Sequence, residues 1–395
     1  MNYFVKLATL KNIKVFYLYL SIAFIMTCCI GYFGWTETWK AVHVPTMTPV
    51  FADMRTVQGG LASVEKGLNP QVDNPHDPWG RVMNYPSIWL DIGRLAGIEN
   101  ETNYLVFCLA EIAIFLGVCG FLLYRTPSLL LLLSMVSTSS LLAIERGNND
   151  MVLFALLFWF AMVSSRTISP VFLITSFALK LYPLFAAGVL IVKRKKGLLA
   201  LTIIPIALIA LWRREDYLLT LSGVHFGGFN WMYGLPKVKL LLARSWFSGG
   251  WSFPALVILI AVAVAILVPI LGRYGRSEAG SRALDEDLFL VGACVYVGTY
   301  ALALNFDYRL IFLIFCIPFL LDIRPLIGLP AVGLILVSMN FGWLYMGRFS
   351  VLGKLINEAS KLAVFIILVS FLACGLIESW RRHRSIGGQD RGMDR

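Results

Sequence analysis

The sequence predicts an all-α polytopic membrane protein, on two observations. First, 58% of its 395 residues are hydrophobic and only 14% are charged, which is far from the composition of an average soluble domain. Second, mostly apolar runs of about 18 or more residues recur along the chain, and each is long enough to cross about 30 Å of hydrocarbon as a helix. We predict about twelve such spans in a single domain over residues 1–385, followed by a disordered cytoplasmic tail at residues 386–395.

Basic residues before the first apolar span predict its orientation. That span covers residues 13–33 and is flanked by Lys6, Lys11 and Lys14. Because short cytoplasmic segments carry an excess of lysine and arginine, we expect the N-terminus in the cytoplasm and residues 50–86, the first loop, on the outer side. Both termini are expected inside. We therefore predict a multi-pass protein of a bacterial inner or plasma membrane.

The first loop contains a predicted interfacial helix that carries Asp53. Asp53 lies near the start of this helix and off its apolar stripe, where the free N–H groups of a first turn favour an ionised carboxylate. A purely local role at the helix start is the alternative. The apolar residues recur every three to four positions, as in an amphipathic helix that lies in the membrane surface, and they are Val50, Phe51, Met54, Val57, Leu61, Val64 and Leu68.

Later spans follow in order, and one of them is interrupted. Between residues 166 and 193, an apolar stretch is broken at residues 180–183, which predicts two shortened helices; one long span is the alternative. The second loop, residues 213–250, contains no motif that we can match. The remaining spans are predicted at residues 103–124, 127–144, 151–164, 198–212, 252–271, 288–304, 310–321, 325–343 and 359–379.

Composition and motifs argue against several classes of function. The net charge is +11, but the basic residues are scattered at the ends of apolar spans, so no nucleic-acid partner is expected. All seven cysteines lie in apolar spans without the paired spacing of metal ligands. The outer histidines lack a second ligand at a recognised spacing, and no nucleotide-binding motif has its required context. We therefore expect neither a metal nor a cofactor.

Most polar clusters are predicted on the outer side, which places the working site there. Charged groups at membrane depth are costly and usually need partners or a wet cavity, so Arg146, Lys180 and Arg309 are functional candidates. The alternative is that Glu145 with Arg146, and Asp307 with Arg309, are ion pairs that close short turns.

Four motifs in the chain resemble those of a known group of enzymes. They are GLNP at 67–70 with YP at 85–86, ERGNND at 145–150, KLYP at 180–183 and DYR at 307–309. In this order, after an early acid, they resemble the membrane-embedded glycosyltransferases of the GT-C fold, and most closely glycosyltransferase family 87, the polyprenol-phosphate-mannose-dependent mannosyltransferases. The resemblance covers most of the chain but not the second loop, which leaves the acceptor undefined.

The resemblance implies an enzyme that transfers a sugar, with mannose as the family's example, from a polyprenyl-phosphate-linked donor. The acceptor would be a glycolipid or glycan on the outer face of the membrane, and the anomeric carbon would be inverted. The family also implies that the acid of the first loop is the catalytic base, and the matching position here is Asp53. Asp73 and Asp77 lie in the same loop and remain rivals.

This mechanism assigns roles to the other candidates. A departing lipid phosphate needs cations close by, and we expect Arg146, Lys180 and Arg309 in that role, with Arg213 and Arg214 as alternates. The remaining polar side chains of the same motifs are expected to bind the substrates, and they are Asn148, Asn149, Asp150 and Asp307. Membrane lipids are the other expected contacts.

Two other functions remain open from the sequence. The break at residues 180–183 also suits a transporter or a lipid-linked glycan flippase, because discontinuous helices commonly line substrate sites. Against it stand the lack of a repeated half and the loading of polar motifs on one face. A lipid-linked glycan polymerase or ligase would share the outer-face site and would use a longer glycan donor.

Overall fold

A computed structural model describes residues 2–163, 166–223, 231–244, 252–274, 283–345 and 350–390, and these residues are almost entirely helical. The first half contains α1 Asn2–Phe33, α2 Trp35–Ala41, α3 Ala52–Glu65, α4 Ile88–Ala96, α5 Glu101–Arg125, α6 Leu129–Met135, α7 Thr138–Arg146, α8 Asp150–Met162, α9 Ser169–Leu179, a 3₁₀ helix Tyr182–Ala187 and α10 Gly188–Val192. The second half contains α11 Lys196–Trp212, α12 Arg214–Ser222, β1 Met232–Tyr233, α13 Leu235–Arg244, α14 Ser252–Tyr274, α15 Ala283–Leu302, β2 Asn305–Phe306, a 3₁₀ helix Asp307–Cys316, α16 Ile317–Asp322, α17 Pro325–Met339, α18 Phe341–Leu344 and α19 Ser350–Asp390.

The prediction of an all-α membrane protein is confirmed, whereas the number of twelve spans is not. Among the described residues, the segments long and apolar enough to cross a membrane are Lys14–Phe33, Glu101–Arg125, Leu129–Arg146, Ser252–Arg273 and Ser350–Arg381. A sixth arises if α11 and α12, bent by 79° at residue 213, form one span. Several other predicted spans are apolar helices of only 10–17 residues, shorter than the 20 or so residues that a spanning helix needs.

The predicted break near Lys180 is confirmed. Helix α9 ends at Leu179, and Lys180 is extended, with φ −158° and ψ 149°. The following 3₁₀ helix has Pro183 in its first turn, and a proline disfavours the α conformation in the residue before it. The alternative of one long span is therefore wrong, and the break leaves the Lys180 side chain at the junction of two helices.

Two further breaks were not predicted. The span expected at residues 127–144 is divided into α6 and α7, and the Ser137 side chain caps α7 by accepting a hydrogen bond from the N–H of Ser140. The span expected at residues 310–321 begins as the 3₁₀ helix Asp307–Cys316, which is buried along most of its length. Apolar composition identified both segments but could not show that the first is interrupted and that the second is enclosed by protein.

A two-stranded antiparallel pair joins the second loop to the segment before residue 307. Met232 pairs with Phe306, and Tyr233 pairs with Asn305. The Tyr233 ring stacks on Tyr296 of α15, with ring centroids 5.7 Å apart. This contact packs one described part of the second loop on the helical core.

The core around α8 positions the polar end of that helix. Phe154 contacts Phe115 of α5 at 5.1 Å and stacks on Phe315 at 4.1 Å between ring centroids. All three side chains are fully buried. Because Phe154 lies one helical turn after Asp150, this aromatic packing fixes the start of α8 between α5 and the 3₁₀ helix that follows Asp307.

The C-terminal helix is longer than expected. Helix α19 continues to Asp390, five residues into the segment 386–395 that we expected to be disordered. Residues 391–395 lie outside the described residues.

Replacement of Gly59 tests how closely α3 packs on the turn that contains Asp77. A Cβ at Gly59 would lie 2.6 Å from the Asp77 backbone nitrogen, so Gly59→Ala must push α3 away from that turn. We expect a loss of about 1–3 kcal/mol in unfolding free energy, measured by thermal unfolding in detergent. Gly117→Ala is the control, because its Cβ meets nothing within 4 Å; equal stability of the two variants would contradict this packing.

Candidate functional site

Asp53 is held at the start of α3 by a close approach of two turns. Helix α7 ends at Gly147, which has φ +55°, and a Cβ there would lie 2.7 Å from the Cβ of Phe51. Only glycine combines this left-handed conformation with so small a volume. The approach brings the turn between α7 and α8 against the first turn of α3, where the Asp53 side chain is 14% exposed.

Asn148 links Asp53 to Asp150. Its Nδ2 donates a hydrogen bond to Oδ2 of Asp53, and its Oδ1 accepts one from the N–H of Asp150 at 2.8 Å. We expected Asn148 to bind a sugar hydroxyl, but both ends of its amide are used within the protein. The hydrogen bond to Oδ2 restricts rotation of the Asp53 carboxylate and leaves its other oxygen, Oδ1, free of this donor.

Asp150 lies between two cations from distant parts of the chain. Its Oδ1 accepts a hydrogen bond from Nζ of Lys180, and its Oδ2 lies 3.2 Å from Nε of Arg309. Arg309 also donates to Oδ1 of Asn305. Asp150 is fully buried, and two positive charges against one negative charge leave this group with one excess positive charge. The group is therefore suited to an anion.

Two aromatic rings lie against the same cations. The guanidinium of Arg309 is 4.2 Å from the ring centroid of Tyr182, and Nζ of Lys180 is 4.9 Å from that of Tyr85. Cation–π contacts of this kind orient a cation without neutralising it. Burial raises the pKa of Tyr85 well above its usual value, and the charge of Asp53 adds to that shift, so the hydroxyl stays neutral near neutral pH.

Arg81 also borders Asp53, and sequence reasoning missed it. Its Nη1 is 3.6 Å from Oδ1 of Asp53, while Nε and Nη2 donate to Asp77 at 3.1 and 2.9 Å. Burial lowers the pKa of Arg81, but the hydrogen bond to Asp77 and the charge of Asp53 outweigh it, so the pKa is raised overall. The i,i+4 spacing of Asp77 and Arg81 was the only local sign of this contact.

The three aspartates of the first loop have different environments in the structure. Asp77 is buried and accepts hydrogen bonds from the N–H groups of Trp79 and Arg81 and from the side chains of Thr56 and Arg81. Both oxygens of Asp77 therefore accept hydrogen bonds that stabilise the fold of the loop. Asp73 is exposed. Of the three, Asp53 is the acid that lies beside the group around Asp150.

Among the described residues, Arg146 pairs with its neighbour Glu145 and not with Asp150. It forms an ion pair with Glu145, with Nε and Oε2 3.3 Å apart, and the other oxygen of Glu145 accepts a hydrogen bond from the N–H of Met47 at 2.9 Å. The expected ion pair of this turn is therefore present. Asn149 is fully buried, and its amide has no hydrogen-bond partner among the described residues.

Asp307 and Arg309 do not pair with each other. Asp307 is fully buried and lies 2.8 Å from Nζ of Lys361. Lys361 also contacts Glu358 at 3.1 Å, and Glu358 in turn contacts Lys237 of α13 at 2.8 Å. We call these four residues the second ion network. Asp307 was expected to bind substrate, and the structure instead places it in this network, next to the site in sequence but with different partners.

Local spacing gave only a partial signal for the second ion network. Glu358 and Lys361 are three residues apart on α19, the spacing at which helical side chains meet. Nothing in the sequence connects them to Lys237 or Asp307, which lie more than 50 residues away.

The alternate cations Arg213 and Arg214 are not seen at the site: Arg213 has another partner, and Arg214 is exposed. Arg213 donates to the hydroxyl of Ser87 at 2.9 Å, and no pairing of Arg214 with Asp53 or Asp150 is seen among the described residues. The same residues contain no group of three or more metal-ligating side chains. His225, one of the outer histidines, lies outside them.

Comparison with known proteins gives no family for this chain. No family model, no curated protein and no solved structure matches it.

Removal of Lys361 tests the second ion network. Lys361→Met leaves Asp307 buried without its cation, and we expect a loss of about 3–5 kcal/mol in stability. The double variant Lys361→Met, Asp307→Leu removes both charges and is expected to recover most of that loss. Lys354→Met, two turns earlier on α19, is the control. Thermal unfolding compares them, and a double variant as unstable as the single one would contradict the pairing.

Proposed function

We propose that this protein is a glycosyltransferase of the GT-C type that uses a polyprenyl-phosphate-linked sugar, with mannose as the sugar implied by the resemblance to family 87. The acceptor is a hydroxyl of a glycolipid or glycan. The observation that supports this most directly is the link through Asn148, which holds the Asp53 carboxylate next to a buried anion-binding group formed by Lys180, Arg309 and Asp150.

In this proposal Asp53 is the general base. The acceptor oxygen forms a bond to the anomeric carbon while the bond from that carbon to the phosphate oxygen breaks. The acceptor proton moves to Asp53, and the electron pair of the broken bond stays on the lipid phosphate. A single displacement of this kind inverts the anomeric carbon. General base catalysis contributes roughly 10²–10⁴-fold when the geometry is right.

Lys180 and Arg309 then stabilise the leaving group. As a diester, the donor phosphate carries one negative charge, and it gains a second as the sugar leaves. Asp53 loses its own negative charge by accepting the proton, so negative charge moves from the base towards the phosphate. Cations fixed at that position lower the energy of the transition state, because their orientation costs nothing at the moment of reaction.

The proposal includes the surroundings of the site. A phosphate already attached to a lipid is an adequate leaving group, so the chemistry calls for no redox cofactor and no metal. The donor lipid is delivered within the membrane, and membrane lipids surround the helices. We place the site on the outer face of a bacterial inner or plasma membrane, on the orientation that the N-terminal lysines predict. Asn149, whose buried amide lacks a partner, is assigned to the substrates.

Replacement of Asp53 tests the base. We expect Asp53→Asn to lower transfer at least about 10²-fold, because the amide cannot accept the proton, while protein abundance stays unchanged. The measurement is product formation by purified protein from a short-chain polyprenyl-phosphate mannose donor and octyl mannoside. Asp73→Asn is the matched control, since Asp73 is exposed in the same loop; turnover retained by Asp53→Asn would refute the assignment.

Replacement of the two cations tests the anion-binding group. We expect Lys180→Met and Arg309→Gln each to lower the turnover number about 10²–10³-fold, because each removes a charge that stabilises the leaving phosphate. Reconstituted liposomes separate this proposal from the flippase alternative. Donor-dependent product supports the transferase, whereas lipid translocation without product, lost in the same variants, would favour the flippase.

A further inference from the structure

The two oxygens of the Asp53 carboxylate are in different situations. Oδ2 accepts the hydrogen bond from Asn148. Oδ1 forms no hydrogen bond with the described residues, and the nearest cationic nitrogen is Nη1 of Arg81 at 3.6 Å. That separation exceeds the 2.7–3.2 Å range of an N–H to oxygen hydrogen bond. Oδ1 is therefore the oxygen that can accept a proton from outside the protein.

Arg81 is held so that Nη1 stays available. Its Nε and Nη2 donate to the two oxygens of Asp77, and Nη2 also donates to the carbonyl oxygen of Ala52 at 2.5 Å. The ring of Trp79 lies against the guanidinium, 4.6 Å away. These contacts fix the plane of the guanidinium through one edge only. Nη1 makes no hydrogen bond with the described residues, and the side chain is 31% exposed.

A single oxygen atom can contact both Nη1 and Oδ1. Because these two atoms are only 3.6 Å apart, that oxygen lies beside them and not on the line between them, about 2.8 Å from each, which is within hydrogen-bond range. The chemistry of the two sides is opposite, because Nη1 is a donor and Oδ1 is an acceptor. A hydroxyl meets both requirements, since it accepts one hydrogen bond while it donates its proton to the other side.

We propose that the position beside Arg81 Nη1 and Asp53 Oδ1, within hydrogen-bond range of both atoms, is the subsite for the acceptor hydroxyl. This proposal rests on the proposed function. It makes Arg81 a catalytic residue that contacts the nucleophilic oxygen. The hydroxyl donates to Asp53 and accepts from Arg81, which orients its lone pair and stabilises the negative charge that grows on the oxygen as the proton leaves. The donor phosphate binds to Lys180 and Arg309, so the two substrates contact cations from different segments of the chain.

The charge of Arg81 suits this role because it is permanent. A guanidinium does not lose its proton near neutral pH, and the fork onto Asp77 resists its rotation towards Asp53. A direct hydrogen bond from Arg81 to Asp53 would occupy Oδ1 and weaken the base. Asp77 therefore keeps the guanidinium close enough to bind a hydroxyl and too far away to form that hydrogen bond itself.

The test distinguishes an effect of Arg81 on the acceptor's Michaelis constant from an effect on the donor's Michaelis constant. Purified Arg81→Met and Arg81→Lys are assayed with short-chain polyprenyl-phosphate mannose and octyl mannoside, and the Michaelis constant of each substrate is measured separately. Arg55→Met is the matched control, because Arg55 is also in the first loop and is also forked onto a carboxylate, that of Glu101 of α5 at 2.6 Å, but lies outside the site. Thermal unfolding of every variant shows whether it is folded.

We expect Arg81→Met to lower turnover about 10²-fold and to raise the Michaelis constant of octyl mannoside, with that of the donor unchanged. Free guanidinium ion in the assay should restore part of the turnover that a further variant, Arg81→Ala, loses, and it should not raise the turnover of Arg55→Met. If Arg81→Met does not fold, Arg81→Lys decides by the same comparison of the two Michaelis constants.

Three outcomes would overturn the inference while the proposed function stands. They are wild-type acceptor kinetics in the Arg81 variants, a rise confined to the Michaelis constant of the donor, and a loss of turnover that follows only the loss of thermal stability. Failure of the proposed function gives a different result, namely no transfer by the wild-type protein or transfer that survives Asp53→Asn.

Discussion

The contact between Gly147 and Phe51 is the constraint on which the site depends. It brings the turn between α7 and α8 within reach of the first turn of α3, so that one amide, Asn148, can bond to Asp53 and Asp150 together. A side chain at position 147 would separate the turns by the width of a methyl group, and Asp53 would lose its link to Asp150 through Asn148. Lys180 and Arg309, from other parts of the fold, then pair with Asp150 in the arrangement that Gly147 permits.

Charge balance explains how so many ionisable groups can be enclosed. The ion pairs of Asp53, Asp77 and Asp150 contain three carboxylates and three cations, the cations being Arg81, Lys180 and Arg309. These six residues together are neutral, which limits the cost of burying them. Among them the charges are unevenly placed, because two cations contact Asp150. A reaction that moves negative charge from Asp53 to a phosphate beside those cations would keep the total unchanged.

Sequence periodicity predicted the elements better than their contacts. The helix that carries Asp53 and the break after Leu179 follow from local rules, since amphipathic spacing and proline act within a few residues. The number of spans did not follow, because apolar residues face lipid in one helix and protein in another, as in Asp307–Cys316. Contacts such as that between Lys361 and Asp307 join distant segments, and one sequence contains no signal for which helix faces meet.

The second ion network determines which carboxylate Arg309 is paired with. Asp307 and Arg309 are two residues apart and could neutralise each other, which would leave Asp150 facing Lys180 only. Lys361 prevents this by occupying the carboxylate of Asp307, and Asn305 holds the Arg309 guanidinium from the other side. The excess positive charge beside Asp150 therefore depends on a lysine of α19 that does not contact it. Since the network also includes Lys237, the second loop is tied to the same balance of charge.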